Sequence, residues 1–383
     1  MISMLEVTFW IVVGLIFYAY FGYSLLLAFV AKVKRIELTR QEIYPAVSLI
    51  IAAHNEEGSI KNKLENTINL DYPRDKLEII VASDASTDRT NQIVKEFSDK
   101  FPVKLLSFSE HKGKTFVQNE AVEDSQGEII IFSDATTRYE QKLVRNIVRN
   151  FADARVGAVG GELVYCNENK TSVGEGNGLY WKYEKFLKEK ESQIASLIGL
   201  SGCCYAIRKE LYEPISPDLI SDFVIAQIVY KKGKLVIYEP EAISFEKTND
   251  TMGDEFRMRV RVATRTLYGL WCMGELLNPF KYGFFSIQLI SHKVLRYLVP
   301  FLLILLLVCD SALFVEQRGS LYSAIFILQL IFYSCACVGY LSKRKIVFLS
   351  IPFYFVITNM ALLFGFLNFI CGKKQTIWKP LRK

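Results

Sequence analysis

Long runs without a charged residue near both ends of the chain constrain its fold more than any other feature. Residues 7–31, 319–342 and 346–372 contain no Asp, Glu, Lys or Arg. Each run is long enough to cross a hydrocarbon core of about 30 Å as a helix of about 20 residues. A fourth apolar stretch, 297–315, is interrupted only by Asp310. The spacing predicts one membrane span, a charged middle region, and then about three spans.

The middle region reads as a folded domain that faces water, because its polar and apolar residues alternate and no uncharged run in it approaches spanning length. With 51% hydrophobic residues, the whole chain is too apolar for an ordinary soluble protein. We predict this order of parts: an N-terminal transmembrane helix (1–35), a cytoplasmic domain (36–250), amphipathic interfacial helices (251–296), about three transmembrane helices (297–372) and a basic tail (373–383).

The basic residues indicate how the chain sits in a membrane. Lys32, Lys34 and Arg35 directly follow the first apolar run, which is too long for a signal peptide and has no Lys or Arg before it. The positive-inside bias therefore places the domain in the cytoplasm. The net charge of +6 comes largely from clusters beside the spans. This distribution favours contact with a lipid bilayer, and we expect no nucleic-acid partner.

The C-terminal tail conflicts with this topology. One span before the domain and three after it would put the C-terminus on the opposite side from the domain. The tail nevertheless carries five basic residues, which favour the cytoplasmic side: Lys373, Lys374, Lys379, Arg382 and Lys383. Either the bias fails here or one apolar segment does not cross, and the sequence leaves both possibilities open.

The middle region has a strand–helix–strand pattern. Short runs rich in Val, Ile and Phe predict strands at 46–53, 77–82, 103–108 and 128–132. The amphipathic segments between them predict helices at 56–70, 87–100 and 114–125. This alternation is typical of an α/β fold with a parallel, doubly wound sheet, in which ligands bind at the carboxyl ends of the strands.

Three carboxylates follow predicted strands at that edge. Glu56 follows the first strand, Asp84 the second and Asp134 the fourth. Acids gathered there suit a sugar nucleotide, since they can hydrogen-bond the base or ribose and hold the divalent ion that neutralises a diphosphate. Alternatively, Asp84 and Asp134 are ordinary turn residues, because Asp commonly caps the helix after a strand.

Four motifs in register point further: VSLIIAAHNEE (47–57), VASDASTDRT (81–90), HKGKTFVQNEAV (111–122) and IIIFSDATT (129–137). Together with SGCCYAIRKELYEPI (201–215) and LISDFVIAQ (219–227), they resemble the family-two glycosyltransferases, which include cellulose, chitin and hyaluronan synthases. The resemblance implies a Rossmann-like, A-type glycosyltransferase domain with a mostly parallel sheet, joined to transmembrane and interfacial helices.

The resemblance also implies a donor site. It would place Ala53, Glu56 and Asp84 around the nucleoside, and Lys114 with Asn119 near the diphosphate.

Asp134 would be the metal ligand of the family's Asp-x-Asp motif. The motif reads Asp134-Ala135-Thr136 here, so its second acid is absent. A divalent cation, Mg²⁺ or Mn²⁺, is still expected, because Mg²⁺ needs only one or two carboxylates besides phosphate oxygens and water.

For the transfer itself, the resemblance implies that Asp222 is the catalytic base, with Ser221 replacing the usual preceding acid. Gly202, Cys203 and Cys204 would form the acceptor-binding loop. The residues alone leave alternatives: Asp222 also reads as part of a helix start, and buried packing is the commonest fate of cysteine.

The segment 255–271 predicts an amphipathic helix in the membrane interface. Its apolar face is separate from a row of arginines at 257, 261 and 265. Processive relatives carry a Gln-x-x-Arg-Trp motif here. Met258 and Val262 replace the Gln and Trp, and only Arg261 agrees. Arg261 is therefore expected near the diphosphate, while processive or single addition stays undecided.

We predict a membrane-embedded, inverting, metal-dependent glycosyltransferase of a prokaryotic plasma membrane. It would move a sugar from a nucleotide-sugar, most simply a UDP-sugar, to a polysaccharide or lipid-linked glycan acceptor. Export or polymerisation proteins are the further partners that this function suggests. The altered motifs suggest an alternative, in which the chain is a catalytically weak, glycosyltransferase-like subunit that binds or assembles an export complex.

Overall fold

The computed structural model describes residues 3–166, 172–247, 251–316, 319–341 and 347–374. Most of the predicted basic tail lies outside the described residues, which end at Lys374.

Within the described residues, eight strands form one mixed sheet in the order β3-β2-β1-β4-β7-β6-β8-β5. The strands are β1 (Val47–Ala53), β2 (Leu77–Asp84), β3 (Val103–Phe108), β4 (Ile129–Asp134), β5 (Arg138–Tyr139), β6 (Val156–Cys166), β7 (Cys204–Arg208) and β8 (Leu235–Lys247). The first four strands agree with the predicted ones to within two residues at either end.

The helices surround this sheet and continue beyond it. They are α1 (Met4–Phe17), α2 (Tyr23–Val33), α3 (Ile60–Ile68), α4 (Thr90–Ser98), α5 (Lys114–Glu123), α6 (Leu143–Val148), α7 (Ser172–Ile194), α8 (Ser221–Lys231), α9 (Met252–Cys272), α10 (Pro279–Tyr282), α11 (Phe284–Leu289), α12 (Leu295–Val315), α13 (Ser320–Leu341) and α14 (Val347–Ile370). One π-helical turn joins α1 to α2 and another joins α11 to α12.

The parallel half of the sheet positions the candidate site. Strands β3, β2, β1 and β4 run parallel, so their carboxyl ends share one edge. In the register of the sheet, Ala53 lies opposite Ser83 and Ala52 lies opposite Asp134. β7 then pairs antiparallel with β4 and brings the segment 201–204 to the same edge.

Strand β1 is buried along its whole length because it is central and both faces are covered. Leu49 and Ile51 belong to the apolar cluster on one face, whereas Ile50 and Ala52 belong to the cluster on the other. This explains why β1 reads as a continuous apolar run rather than an alternating one.

Four segments among the described residues are long and apolar enough to cross a membrane: Met4–Val33, Phe284–Val315, Ser320–Leu341 and Phe348–Ile370. These four segments differ in how much of their surface the rest of the protein covers, and Ser320–Leu341 is the least covered. Along α13, only Ala336 is buried.

Helix α14 lies along α9, which itself rests on the sheet domain. A Cβ atom on Gly365 would lie 2.5 Å from the Cβ of Ala263, and the Phe369 ring lies 4.9 Å from that of Tyr268. Nearer its N-terminus, Tyr354 accepts a hydrogen bond from Arg259 of α9. Just beyond its C-terminus, Lys374 pairs with Asp218 of the sheet domain. α14 therefore contacts α9 near its N-terminus and the sheet domain just beyond its C-terminus. It also packs on the other apolar helices, with the Phe355 ring 5.6 Å from that of Phe332 and the Phe366 ring 4.8 Å from that of Phe301.

Candidate active site

Lys114 and Asp134 form the centre of a charged cleft at the carboxyl edge of the sheet. Asp134 ends β4, and Lys114 is the first residue of α5, directly after Gly113, whose φ of +94° favours glycine. The Lys114 ammonium pairs with the Asp134 carboxylate and donates a hydrogen bond of 3.0 Å to the Gly202 carbonyl. The end of β4, the start of α5 and the segment 201–204 therefore all contact the amine of Lys114.

Asp222 enters the same cleft from the first turn of α8. A Cβ atom on Gly202 would lie 2.7 Å from Asp222 Oδ2 and 3.5 Å from Lys114 Nζ. A side chain at position 202 would therefore force the Asp222 carboxylate to shift. The structure therefore brings Lys114, Asp134, Gly202 and Asp222 together, although 108 residues separate the first from the last along the chain.

The charges in the cleft are coupled. Burial raises the pKa of the Asp222 carboxyl, while the positive charges of Lys114 and then Arg265 oppose the rise. Burial also opposes the charge on Lys114, but Asp134 and Asp222 together outweigh it and raise the pKa of the ammonium. Asp222 is thus a carboxylate with more affinity for a proton than an ordinary Asp, held beside a firmly charged lysine.

Two arginines from α9 face this cleft. Burial lowers the pKa of the Arg261 guanidinium, and the negative charge of Asp134 works against that change. Arg265 is 7% exposed and donates hydrogen bonds of 3.1 Å to the Pro217 carbonyl and to Thr115 Oγ1. Burial lowers the pKa of Arg265 to about 10. The predicted interfacial helix therefore forms one wall of the cleft.

Asp84 lies at the end of β2 and is fully buried. Its carboxylate accepts backbone N–H groups of Lys112 at 2.8 Å and Gly113 at 2.7 Å, and pairs with His111 Nδ1 at 2.7 Å. The His111 ring stacks on that of His54, with centroids 3.8 Å apart. Asp84 therefore fixes the loop that leads into Lys114.

Ala53 and Glu56 lie beside this loop, at the neighbouring strand end. Ala53 ends β1 and is buried. Glu56 is also buried, and its backbone N–H donates to Thr90 Oγ1 at 2.8 Å. The structure thus groups all three predicted nucleoside residues, Ala53, Glu56 and Asp84, at the β1–β2 end of the cleft.

The cleft also offers oxygen ligands for a divalent cation. Asp134 and Thr136 are two residues apart, and Thr136 Oγ1 donates a hydrogen bond of 3.3 Å to Glu246 Oε1. No group of three His, Cys, Asp or Glu side chains in the described part of the chain is arranged to hold a metal alone. Carboxylate and hydroxyl oxygens suit Mg²⁺ or Mn²⁺ when substrate phosphates complete the shell. The residues present therefore fit a cation that binds together with a diphosphate.

Comparison with known proteins identifies this arrangement. Residues 48–215, which hold every strand of the parallel half, match the family model described as Glycosyl transferase family 2. The chain carries a family-two glycosyltransferase domain. This match confirms the resemblance and the predicted class of enzyme.

The family-two domain has curated relatives that the chain matches over part of their length. It is similar to the probable glycosyltransferase YdaM of Bacillus subtilis (strain 168), with 32% identity over 245 residues, which cover 58% of this chain and 56% of that protein. The beta-monoglucosyldiacylglycerol synthase of Synechocystis sp. is 30% identical over 162 residues, covering 42% and 34%. The poly-beta-1,6-N-acetyl-D-glucosamine synthase of Staphylococcus epidermidis is 24% identical over 222 residues, covering 57% and 53%. The chain thus spans between a third and just over half of these relatives.

One solved structure resembles almost the whole chain. It is the mannosyltransferase PcManGT from Pyrobaculum calidifontis in complex with GDP-Man and Mn2+, with a TM-score of 0.73 and 23% identity over 96% of this chain and 99% of that one. The likeness shows the fold. It confirms the predicted A-type α/β architecture with additional long apolar helices.

Asn119 contacts the segment that follows β7. It is five residues after Lys114 on α5, which turns its side chain by about 140° to another face of the helix. Its amide donates to the Ile215 carbonyl at 2.8 Å and accepts from Tyr212 Oη at 2.7 Å and from the Ile215 N–H at 3.1 Å. Asn119 therefore holds the segment 212–215 in this structure, and its place beside the diphosphate stays a prediction.

The two predicted acceptor cysteines are also placed differently from the expectation. Cys203 and Cys204 are 4% and 0% exposed, and burial raises the pKa of both thiols. Their side chains belong to the core beneath the cleft. Of the predicted acceptor loop, Gly202 borders Asp222 and Lys114 with its backbone. The alternative interpretation of the cysteines as packing residues is the one that the structure supports.

Lys63 is a site-supporting residue that the sequence reasoning missed. Its buried amine donates to the Thr137 carbonyl at 2.8 Å and lies 3.6 Å from the centre of the Tyr139 ring. Burial lowers the pKa of Lys63 to about 7. The available signal was a lysine at an apolar position of α3, three residues after Ile60 and one before Leu64, both buried. It supports the segment that follows Asp134.

Proposed function

We propose that the protein is an inverting glycosyltransferase that moves a sugar from a nucleotide-sugar to a glycan or lipid-linked acceptor at a membrane. The observation that carries the proposal is the meeting of Lys114, Asp134 and Asp222 around Gly202 in a family-two domain. A base, a cationic amine and a metal-binding acid are the groups that such a transfer needs.

Asp222 acts as the base in this proposal. Its carboxylate takes the proton of an acceptor hydroxyl while that oxygen forms a bond to the anomeric carbon. The bond from that carbon to the phosphate oxygen breaks, and the nucleoside diphosphate leaves with the electron pair. A single displacement inverts the anomeric centre. The raised affinity of Asp222 for a proton suits it to this task.

Lys114 and Arg261 stabilise the leaving diphosphate. Both are cations in or beside the cleft, and both lie in the field of Asp134. A divalent cation held by Asp134 would neutralise further charge on the phosphates when bound. PcManGT is solved with GDP-Man and Mn2+, and this supports a divalent cation as the cofactor while leaving Mg²⁺ and Mn²⁺ both possible.

We infer a UDP-sugar as the first donor to test, with GDP-mannose as the second. The names of the relatives support two acceptor classes: one is a poly-N-acetylglucosamine synthase and another makes a glucosyldiacylglycerol. The end of a polysaccharide and a lipid such as a diacylglycerol both present a hydroxyl that Asp222 could deprotonate, as does a lipid-linked glycan.

The placement of α14 supports a topology with the catalytic domain and the C-terminus both in the cytoplasm. Tyr354 and Lys374, 20 residues apart, both contact the catalytic side through Arg259 and Asp218. A helix crossing the bilayer would separate such residues by about 30 Å along the membrane normal. We therefore propose that α14 lies along the cytoplasmic surface beside α9 and does not cross.

A pair of C-terminal fusions tests this topology in a prokaryotic plasma membrane. Green fluorescent protein, which folds in the cytoplasm, should fluoresce at the C-terminus. Alkaline phosphatase, which needs the outer side, should stay inactive there. The reverse pattern would show that α14 crosses and that the positive-inside bias fails for this tail.

Release of nucleoside diphosphate tests the activity. Purified protein in lipid or detergent, with Mg²⁺ or Mn²⁺, is given a panel of UDP- and GDP-sugars, and free UDP or GDP is measured. We expect release from at least one donor and an increase when a matching acceptor is added. Nucleotide binding without turnover of any donor would instead favour the alternative, a binding or assembly subunit of an export complex, for which partner proteins would then be sought.

A further inference from the structure

The metal-binding motif of this domain lacks its second acid, and the sheet brings another acid to that position. β5 pairs antiparallel with β8, with Arg138 opposite Phe245 and Tyr139 opposite Ser244. Continuing this register by one residue places Thr137 opposite Glu246. The observed contact is made by the preceding residue, in the turn before β5: Thr136 Oγ1 donates a hydrogen bond of 3.3 Å to Glu246 Oε1.

We propose that Glu246 supplies the second carboxylate of the cation site, in place of the acid missing at position 136. The inference rests on the proposed transferase function and deepens it, because it names the residue that completes the site. Asp134 would supply the first carboxylate, and the donor diphosphate the remaining oxygens.

Neighbouring ionisable groups support the placement of Asp134 and Glu246 close to each other. The Cys203 thiol lies in the core beneath the cleft. Burial raises its pKa, and the negative charges of Glu246 and then Asp134 raise it further. Both carboxylates are therefore close enough to act on the same thiol through their charge. The ammonium of Lys114, paired with Asp134, shows that this volume stabilises positive charge.

The geometry of the two strands explains how a glutamate can substitute for an aspartate from another part of the chain. In an Asp-x-Asp motif both acids come from one extended segment, two residues apart, so their side chains lie on one face. Here the second position carries the Thr136 hydroxyl, which donates to Glu246. The hydroxyl thereby holds the Glu246 carboxylate of β8 next to position 136.

The simpler interpretation is that Glu246 has a structural role: it accepts the Thr136 hydrogen bond and so joins the segment before β5 to β8. This predicts that removing its charge changes stability slightly and cation affinity not at all. The proposed ligand role predicts a loss of cation affinity that an acid at position 136 restores. The two interpretations therefore differ in a measurement that does not depend on turnover.

Binding of Mn²⁺ in the presence of UDP, followed by the electron paramagnetic resonance signal of free Mn²⁺, tests the inference. Glu246→Gln should weaken Mn²⁺ binding by on the order of tenfold or more, because affinity follows the number of charged ligands. The double variant Thr136→Asp/Glu246→Gln should regain most of that affinity, because it restores an Asp-x-Asp motif at positions 134–136. Equal affinity in wild type and Glu246→Gln would overturn the inference.

Glu241→Gln is the matched control. Glu241 lies on the same strand, is exposed and pairs with Arg149, so its loss should leave Mn²⁺ affinity unchanged. If Glu246→Gln does not fold, Glu246→Asp decides: the shorter acid should weaken Mn²⁺ binding, and unchanged affinity would again contradict the proposal.

The same titration separates the inference from the proposed function. If the wild-type protein binds no UDP or GDP, with or without Mn²⁺, the proposed transferase function fails. If it binds nucleotide with Mn²⁺ but Glu246→Gln behaves as wild type, only the role of Glu246 fails.

Discussion

The two ends of the cleft contain acids with different surroundings: Asp84 is fully buried, whereas Asp222 is half-buried. At the β1–β2 end, Asp84 accepts two backbone N–H groups and pairs with an imidazole. At the α8 end, Asp222 is crowded against Gly202, and burial raises its pKa despite the neighbouring cations. The Asp84 carboxylate is therefore occupied by hydrogen bonds from the 111–113 loop. The Asp222 carboxylate has an increased affinity for a proton.

This difference shows that the burial of an acid at the end of a strand does not by itself indicate a catalytic role. A carboxylate whose lone pairs are taken by loop N–H groups stabilises that loop. A carboxylate that burial destabilises in its charged form has free energy to gain from a proton, which a base requires. Asp84 therefore has a structural role in the cleft, whereas Asp222 has the properties that the proposed reaction requires.

The largest expected effect comes from Asp222→Asn. Loss of a general base should lower kcat by about 10²–10⁴-fold, with donor affinity nearly unchanged. The melting temperature should not fall. A carboxyl with a raised pKa favours its protonated form in the folded state, so its ionised form opposes folding at neutral pH, and Asn removes that cost.

Turnover, equilibrium binding of UDP and thermal unfolding check this prediction together. Asp99→Asn, an exposed acid at the end of α4, serves as control and should match wild type in all three. Collapse of UDP affinity in Asp222→Asn would place Asp222 in donor binding rather than in proton transfer.

The next effect concerns the space around the base. Gly202→Ala would put a methyl group 2.7 Å from Asp222 Oδ2, so the carboxylate must move. A displacement of about 1 Å can lower the rate by about 10²-fold, and we expect a loss of this size in kcat. Gly274→Ala, where an added Cβ meets nothing within 4 Å, is the control. Wild-type turnover in Gly202→Ala would mean that the position of Asp222 is unimportant.

Asp84→Asn should act mainly on stability, in contrast to Asp222→Asn. The amide would keep one acceptor but point its NH₂ group at a donor, leaving a buried N–H group of the 111–113 loop without a partner. Such a group costs about 1–3 kcal/mol. Thermal unfolding should show a lower melting temperature, and a donor titration should show weaker binding. An unchanged melting temperature would remove the distinction between the two acids.

Much of this fold was predictable because its determinants are local. The apolar runs of β1, β2, β3 and β4 and the helices between them follow from hydrophobic period and turn residues. The order of these elements then brings the acids at strand ends to one edge. Asp134 and Asp84 could therefore be assigned to the same edge from the sequence.

What the sequence could not show depends on contacts between distant segments. The arginines of α9 read as a lipid-facing polar row, yet Arg265 donates to Thr115, which lies 150 residues earlier. An amphipathic pattern defines a polar face but not what covers it. Asn119 likewise bonds the segment 212–215, and hydropathy does not distinguish the exposed α13 from the packed α14.

The smallest expected effect tests how the α8 end of the cleft is controlled from α9. The charge of Arg265 opposes the rise in the pKa of Asp222. Arg265→Met removes that charge, so the pKa of Asp222 should rise further. The base works only when ionised, so the acidic limb of kcat/KM against pH should move to higher pH. Near neutral pH we expect about a fivefold loss, the equivalent of one hydrogen bond of about 1 kcal/mol.

Arg265→Lys separates charge from hydrogen bonding. It keeps the positive charge but not the paired contacts with Pro217 and Thr115. Its acidic limb should therefore stay near that of wild type even if kcat/KM falls. Arg257→Met, on the same helix and paired with Asp254, should leave the whole profile unchanged. If all three variants share the wild-type limb, the ionisation seen in the profile does not belong to Asp222, and the contrast between Asp84 and Asp222 loses its kinetic support.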